Sequence, residues 1–509
     1  MTELNKSITG ASPDNREIDW DNLNWSVIKQ FVFRIQCRIA KAEREGKRGK
    51  VEALQRILST SFYGKCLAVK KITDNKGGKT PGVDKVCWST SLQKAKAVFT
   101  LKRKGYKPMP LRRIYIDKKS GGKRPLSIPT LKDRAMQSLW HMALSPVAEE
   151  RADPNAYGFR PKRCVQDAIE KGFNVLSRRN SAQWVLEVDI HKCFDLIDHN
   201  WLLKNVPMDK QILGKFLKAG FMEKGKVHPT DLGTPQGGII SPTLALMALS
   251  GIEKEVTPNK NLPKHRGKKI NSIFYADDGI ITGASKELLE NEVKPKLESV
   301  LKERGLTLSI KKTKITHIND GFNFLGFNFK KYKKRGIKDA QVLLIKPSKE
   351  NVISIKRHLK SVIKKCIALP TYKLIHALNP KIIGWSNYYK GAISSKTFSN
   401  VDNELFNKLL KWGYKRHARK GKRWIVSKYF TQVKGDHWRF HATIKDKSDQ
   451  DKPLILRNMQ DTKIWRHTKI KAAATPFNPE FKDYFDARKR SLQRWRKTIQ
   501  KSGLAGQFD

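Results

Sequence analysis

The chain has 509 residues, 39% of them hydrophobic and 29% charged, which is typical of globular proteins and long enough for roughly three or four domains. Lys and Arg outnumber Asp and Glu by 103 to 47, and the resulting formal net charge of +56 opposes compaction unless a polyanion screens it. Nucleic acid is therefore the expected partner. The N-terminus lacks a signal-peptide pattern and the chain lacks an apolar run of about 18 residues, which argues against secretion and against a membrane span.

The predicted elements mix helices and strands up to about residue 345 and are mainly helical beyond it. In chain order we predict a helix over 25–59, a loop over 73–84, a β-hairpin with strands at 114–116 and 126–128, a helix over 132–150, a strand over 184–190, strands at 271–275 and 279–282, a helix over 288–303 and a strand over 322–327. The helical part is interrupted near 431–453. This order indicates an α+β fold with an α-helical appendage.

Charge is distributed unevenly along the chain. Residues 1–330 hold 60 basic and 34 acidic side chains, whereas 331–509 hold 43 basic and 13 acidic. Metal-binding carboxylates are therefore expected in the first part, and the second part is interpreted as a binding surface. The six cysteines form no Cys-x-x-Cys pair, which disfavours zinc ribbons and Cys-rich nuclease domains. Four histidines of the basic part are not at metal-binding spacing: His417, His437, His441 and His467.

Two adjacent carboxylates, Asp277 and Asp278, lie between two apolar strands. Their mutual repulsion destabilises a tight turn unless a cation neutralises it. Asp189 ends another predicted strand, and a carboxylate from a second strand is what a site for two Mg²⁺ ions requires. Alternatively, Asp277 and Asp278 simply cap a hairpin turn, where Asp is favoured.

Other stretches have the chemistry to bind a nucleotide. Glycines in 233–238 let the backbone approach a ligand closely, and Gln236 offers an uncharged amide to a sugar or base. Lys123 and Arg124 place two cations beside a strand, which suits a triphosphate. A further lysine group occurs at 311–314. Each stretch by itself also has a structural interpretation, as a turn or a solvated run of charge.

Seven motifs follow one another along the chain: KRPLSIPTLKDR (123–134), YGFRP (157–161), DIHKCFD (189–195), GTPQGGIISP (233–242), YADD (275–278), LSIKKTK (308–314) and FLGF (324–327). In this order they resemble the successive blocks of a reverse transcriptase. Two more are TPGVD (80–84) and LNPKIIGWSNYY (378–389). The complete set, which covers nearly the whole chain, resembles the bacterial group II intron-encoded proteins, which are reverse transcriptases with a maturase domain.

The resemblance implies a right-hand polymerase fold, with an antiparallel sheet in fingers and palm followed by an α-helical thumb. It divides the chain into a flexible N-terminus (1–24), fingers and palm with an N-terminal extension block (25–330), the thumb or maturase domain (331–405) and a basic DNA-binding region (406–509). Cations and aromatics alternate in 411–430, which is typical of phosphate pairing with base stacking or, alternatively, of a helix with a buried aromatic stripe. The H-N-H-type endonuclease that often follows in the family is not expected here.

The resemblance also gives each motif residue an expected role. Asp189, Asp277 and Asp278 are the expected catalytic residues and ligands of two Mg²⁺ ions. The expected nucleotide contacts are Lys123, Arg124, Gln236, Lys312 and Phe194, whose ring would exclude a ribonucleotide 2′-hydroxyl. The expected primer contacts are Tyr275, Phe324, Leu325 and Gly326. The expected nucleic-acid contacts elsewhere are Arg34, Arg38, Lys415, Arg416, Arg419, Lys420, Arg423 and Trp424.

The implied activity is an RNA-directed DNA polymerase that copies intron RNA into DNA and assists splicing. The implied partners are intron RNA, target-site DNA, a primer–template duplex and deoxynucleoside triphosphates, with no membrane, in the bacterial cytoplasm and at the nucleoid. The oligomeric state stays open. Two alternatives remain: a domesticated enzyme of this type in host defence or CRISPR adaptation, and a maturase that only binds RNA, which the presence of all three aspartates disfavours.

Overall fold

The computed structural model describes residues 18–117, 121–257, 267–333, 336, 340–433, 435–445 and 449–499. Its helices are α1 (Trp25–Arg44), α2 (Arg48–Thr60), α3 (Phe62–Thr73), α4 (Ser91–Thr100), α5 (Leu131–Arg151), α6 (Val165–Leu176), α7 (Cys193–Leu196), α8 (His199–Asn205), α9 (Lys210–Leu217), α10 (Ser241–Leu249), α11 (Ile252–Val256), α12 (Lys286–Leu288), α13 (Lys294–Lys302), α14 (Lys349–Lys365), α15 (Thr371–Tyr389), α16 (Ser395–Arg416), α17 (Lys422–Tyr429) and α18 (Lys482–Ile499). The strands are β1 (Leu111–Asp117), β2 (Lys123–Ile128), β3 (Trp184–Asp189), β4 (Phe221–Glu223), β5 (Lys226–His228), β6 (Asn271–Tyr275), β7 (Asp278–Gly283), β8 (Lys314–His317), β9 (Phe322–Phe324), β10 (Phe327–Lys333), β11 (Gln341–Pro347), β12 (Phe430–Val433), β13 (Asp436–Lys445) and β14 (Asp451–Ile455).

The N-terminal helical region contains two helices where the sequence pattern predicted one. Asn24 caps α1 by accepting hydrogen bonds from the backbone of Ser26 and Val27. The chain leaves the helix after Arg44 and takes a left-handed conformation at Gly46, which glycine adopts readily, before α2 begins. Apolar side chains at helical spacing bury one face of α1: Ile28, Val32, Ile35 and Ile39.

The predicted hairpin is confirmed, and it belongs to a larger sheet. Strands β1 and β2 pair antiparallel, with Ile114 opposite Leu126, and β1 also pairs in parallel with β4. The order of this fingers sheet is β2-β1-β4-β5. The tip of the predicted basic turn, 118–120, lies outside the described residues.

The second sheet, in the palm, has the order β6-β7-β3-β8 and is antiparallel throughout. Successive side chains of a strand point to opposite faces of the sheet. Leu186 and Ile281 accordingly join a core built with the helices of the first part, whereas Val185 and Ile280 join a core shared with the helical region after residue 345. One sheet therefore connects the two hydrophobic cores.

The remaining elements confirm an α+β fold followed by a helical region. Strands β9–β11 form a small sheet, and helices α14 to α17 follow it. The interruption near 431–453 is a three-stranded antiparallel sheet, β12-β13-β14. Helix α16 runs through the predicted domain boundary at 405. Residues 1–17 and 500–509 lie outside the described residues, and Trp20, within the predicted flexible segment, is buried. Among the described residues, no helix has both the length and the apolarity needed to cross a bilayer.

Candidate active site

The palm sheet brings together the three aspartates predicted to be catalytic. Asp189 ends β3 and lies directly opposite Asp278, the first residue of β7. Asp278 is also paired with Tyr275, the last residue of β6, so Ala276 and Asp277 form the two-residue turn of this hairpin. Strand pairing thus brings residues far apart in sequence into one cluster of three carboxylates.

The cluster carries an excess of negative charge. The Asp278 side chain reaches solvent, but burial by the surrounding protein, followed by the charges of Asp277 and Asp189, raises its pKa to about 6. Lys312 Nζ lies 2.9 Å from Asp189 Oδ2, and this hydrogen bond raises the pKa of Lys312. The carboxylates favour a cation, and their hard oxygen donors fit a divalent ion such as Mg²⁺.

The backbone of residues 157–158 packs against the Ala276–Asp277 turn. The Tyr157 N–H donates to the Phe274 carbonyl at 2.8 Å, and the chain then passes directly over Ala276. A Cβ atom at Gly158 would lie 2.1 Å from Ala276 N, so this position requires glycine. Sequence reasoning quoted the motif at 157–161 but gave it no role, and its glycine was the available signal.

A hydrogen-bonded chain of side chains connects the palm to the fingers sheet. Gln236 Nε2 donates to Asp195 Oδ1 at 3.0 Å, and exposed Arg124 donates from Nε to Gln236 Oε1 at 2.9 Å. Lys123 is exposed at the first position of β2 and pairs through its backbone with Asp117. Sequence reasoning missed Asp195, although this residue closes the quoted motif at 189–195.

The half-buried ring of Phe194 lies beside this chain of contacts. Its centroid is 5.8 Å from that of Phe159, in an edge-to-face arrangement. The N–H of Thr234 donates to the Phe194 carbonyl at 2.6 Å, and the N–H of Ser127 donates to the Gln236 carbonyl at 2.7 Å. Main-chain bonds from two elements therefore fix the backbone around Phe194 and Gln236.

The predicted primer-contact turn is a tight hairpin loop held by the helical region. Leu325 and Gly326 join β9 to β10, both with positive φ. Tyr388 OH donates to the Leu325 carbonyl at 2.9 Å, and Tyr389 OH donates to the Gly326 carbonyl at 3.1 Å. The ring of Phe324 is buried in the second core, whereas Leu325 and Gly326 are partly exposed. Tyr275 is half-buried. Burial of the Tyr388 hydroxyl, followed by the electrostatic effect of Tyr275, raises the pKa of Tyr388 to about 12.

The nucleic-acid contacts predicted away from the aspartate cluster are of two kinds. Some are exposed side chains, and others bond to or pack against other parts of the protein. The exposed ones are Arg34, Arg38, Lys415, Arg419, Lys420 and Arg423. Arg416 donates to the carbonyls of Ile367 and Leu369, and its guanidinium lies 4.8 Å from the Trp412 ring centroid. Trp424 is partly buried and packs edge-on against His417. The alternative of a buried aromatic stripe therefore describes much of 411–430, since Trp412, Tyr429 and Phe430 are buried.

The C-terminal segment, residues 456–499, contacts the palm at α6. Asp167, with no solvent exposure, accepts hydrogen bonds on Oδ1 from His467 Nε2 and the Ile470 N–H, both at 2.8 Å, and from Arg488 Nη2 at 3.0 Å. Ligand atoms of Cys164, Asp167 and His467 lie within 4.8 Å of one another, as in a metal site. Because the carboxylate is saturated with donors and Arg488 supplies a positive charge, the cluster is an internal ion-pair network.

A hairpin that presents two adjacent carboxylates, with a third at the neighbouring strand end and an amide and cations nearby, fits the two-metal sites of enzymes that act on phosphate esters, among them the nucleic-acid polymerases. Family models match three successive parts of the chain. The N-terminal domain of reverse transcriptase matches residues 20–101, reverse transcriptase (RNA-dependent DNA polymerase) matches 116–329, and the maturase-specific domain of group II introns matches 352–430.

Relatives from several organisms agree with these matches. The group II intron-encoded protein LtrA of Lactococcus lactis subsp. cremoris is 30% identical over 414 residues, 64% of this chain and 68% of LtrA. Protein YkfC of Escherichia coli K12 is 34% identical over 317 residues, 54% of this chain and 82% of YkfC. A 91 kDa protein in the cob intron of Schizosaccharomyces pombe is 28% identical over 58% of this chain and 45% of its own length.

The chain belongs to the group II intron-encoded proteins. It is an RNA-directed DNA polymerase with a maturase domain for splicing. Its reverse transcriptase domain belongs to a class that depends on divalent metal ions, and its maturase domain implies binding of intron RNA.

Proposed function

We propose that Asp189, Asp277 and Asp278 hold two Mg²⁺ ions and that this site adds deoxynucleotides to a primer on an RNA template. The proposal is supported chiefly by the pairing of Asp189 with Asp278 next to the Ala276–Asp277 turn, which joins three carboxylates on one edge of the palm sheet. When bound, the metals would lower the pKa of the primer 3′-hydroxyl and stabilise charge on the leaving pyrophosphate.

The other residues of the site position the reactants. Lys312 is exposed at the same edge, so its ammonium group can turn from Asp189 to the phosphates of an incoming nucleotide. Arg124 lies on the fingers side, where it supplies a second cation. Such positioning and charge stabilisation supply most of the rate enhancement in phosphoryl transfer, and no covalent intermediate is needed.

Selection of the sugar and of the primer end is assigned to two further features. The Phe194 ring, fixed by backbone bonds and by Phe159, would clash with a ribonucleotide 2′-hydroxyl. The Leu325–Gly326 turn, tied to α15 by Tyr388 and Tyr389, would hold the primer end against the catalytic turn. The exposed cations of α1 and of 415–423 are proposed to bind intron RNA and target DNA through phosphates.

Primer extension on an RNA template with Mg²⁺ tests the site directly. Asp189→Asn should lose DNA synthesis while it retains RNA binding, because it removes one metal-binding charge and leaves the basic surface intact. Asp320→Asn, which removes an exposed carboxylate between β8 and β9, is the matched control and should keep full activity. Normal synthesis by Asp189→Asn would overturn the assignment.

A further inference from the structure

A cavity of about 410 Å³ opens between α16 and the C-terminal sheet. Its floor is apolar and comes from both elements, namely Leu405, Leu409, Phe430, Phe440 and Leu456. Eight of its fourteen lining residues come from α16, α17 or the first residue of β12, and all eight lie within the span 352–430 matched by the maturase-specific domain. None of the nucleic-acid contacts predicted from the sequence lines this cavity.

The rim of the cavity combines aromatic, amide and cationic groups. Trp438 on β13 is 53% exposed, and its ring meets that of Phe406 at 5.6 Å and 77°. Amide side chains at the rim come from Asn403, Asn458 and Gln460, and Lys422 adds an ammonium group. Such a rim offers a stacking face together with both donors and acceptors of hydrogen bonds.

The two carboxylates of the lining are engaged inside the protein. Asp402 accepts hydrogen bonds from the backbone N–H groups of Met459 at 2.8 Å and Gln460 at 3.0 Å. Asp436 is paired with Arg439 at 2.7 Å. These interactions compensate the negative charge that would otherwise repel a polyanion, and the exposed run 419–423, which includes Lys422, attracts one.

We propose that this cavity binds one unstacked base of single-stranded RNA. The base would stack on the exposed Trp438 ring and meet the nearly perpendicular Phe406 ring edge to face. Its edge would bond to the amides of Asn403 and Gln460, and the flanking phosphates would pair with Lys422. Single-stranded RNA is commonly recognised by stacking of splayed bases on aromatic rings with hydrogen bonds to their edges. A purely apolar occupant would make no use of the amide groups at the rim. The inference rests on RNA binding by the maturase domain and is independent of the metal site.

The test uses the full-length chain and a short single-stranded RNA with one central 4-thiouridine. After irradiation, mass spectrometry is expected to find the crosslink on Trp438 or Phe406. The Trp438→Ala variant should lose this crosslink and bind the RNA roughly tenfold more weakly, since stacking on an aromatic ring has about this effect per base. The slope of log K against log salt concentration should not change, because the phosphate contacts remain.

Two further variants separate recognition of the base from folding and from general charge. Tyr414→Ala removes a 36%-exposed aromatic ring of α16 that does not line the cavity, and it should behave as the wild type. Asn403→Ala alters an exposed helix position, which folding tolerates, and should weaken binding without changing the salt slope. All variants should retain primer extension on a standard template, so a failure here is distinct from a failure of the metal-site proposal.

Four results would overturn the proposal. The first is crosslinks that map only outside the cavity. The second is equal loss of binding in Tyr414→Ala and Trp438→Ala. The third is a crosslink that forms with the matching DNA strand carrying 4-thiothymidine but not with the RNA. This result would show that the cavity does not bind RNA. Capture of an apolar peptide in place of the oligonucleotide would likewise contradict it.

Discussion

Asp167→Ala is expected to release the C-terminal segment from the palm and to weaken RNA-templated DNA synthesis. The carboxylate of Asp167 is fully buried and joins α6 to His467, Ile470 and Arg488, about 300 residues further along the chain. The same stretch of palm supports the Ala276–Asp277 turn, because the backbone around Gly158, which packs against this turn, precedes α6 by only a few residues. Loss of the C-terminal contacts should therefore destabilise the backbone that packs against the Ala276–Asp277 turn.

The loss of folding free energy can be worked out from the groups that Asp167→Ala leaves without a partner. The backbone N–H groups of Cys164 and Ile470 would lose their acceptors, and a buried donor left unpaired costs about 1–3 kcal/mol. Arg488 retains some exposure and can turn toward solvent. Together these losses amount to about 3–5 kcal/mol, similar to breaking a buried ion pair. Asp167→Asn keeps one acceptor oxygen and should be affected less.

The stabilisation that the Asp167 carboxylate contributes depends on pH in a defined way. Burial by itself would raise the pKa of Asp167, but the His467 hydrogen bond and charge, the Ile470 N–H and Arg488 lower it below 3.8. A carboxyl whose folded-state pKa is depressed contributes its full stabilisation above its unfolded-state value. That contribution is lost as the pH falls through the lower folded-state pKa.

Hydrogen exchange and limited proteolysis of residues 456–499 give a local readout, and primer extension gives the functional one. In Asp167→Ala we expect faster exchange at the Ile470 amide, earlier cleavage of the segment and slower synthesis. Asp483→Ala, an exposed carboxylate on α18, is the matched control. Unchanged exchange together with wild-type synthesis in Asp167→Ala would refute the reasoning.

Three further outcomes are expected. Phe194→Ala should accept ribonucleotides about 10- to 100-fold better relative to deoxynucleotides in competition assays, because removing the ring opens space for the 2′-hydroxyl; unchanged sugar discrimination argues against its role. Tyr388→Phe should raise KM for primer–template about fivefold with little change in KM for nucleotide, since one hydrogen bond to Leu325 is lost; an effect on nucleotide KM alone contradicts this. Mg²⁺ should raise the melting temperature of the wild type but hardly that of Asp277→Ala, because ligand binding to the folded state stabilises it; equal shifts would falsify the metal assignment.

Much of the fold could be predicted from local patterns. Short β-branched and apolar runs located β3, β6 and β7, and the glycine-containing basic turn indicated the β1–β2 hairpin, because strand and turn preferences act over a few residues. The broken helix at Gly46 was missed, since an apolar pattern continues across a short break. The C-terminal sheet was seen only as an interruption of helical pattern, because its strands lie in a polar, cation-rich stretch.

The sequence by itself determined the chemistry of this protein: its charge, the motif order of a reverse transcriptase and the residues that bear carboxylate, amide and aromatic groups. The tertiary structure decided which of these meet. The bond from Gln236 to Asp195, the support of the Leu325 turn by Tyr388 and the closure of the C-terminal segment on Asp167 all join residues distant in sequence. Local periodicity carries no information about such contacts, because they form only when separate elements pack against one another.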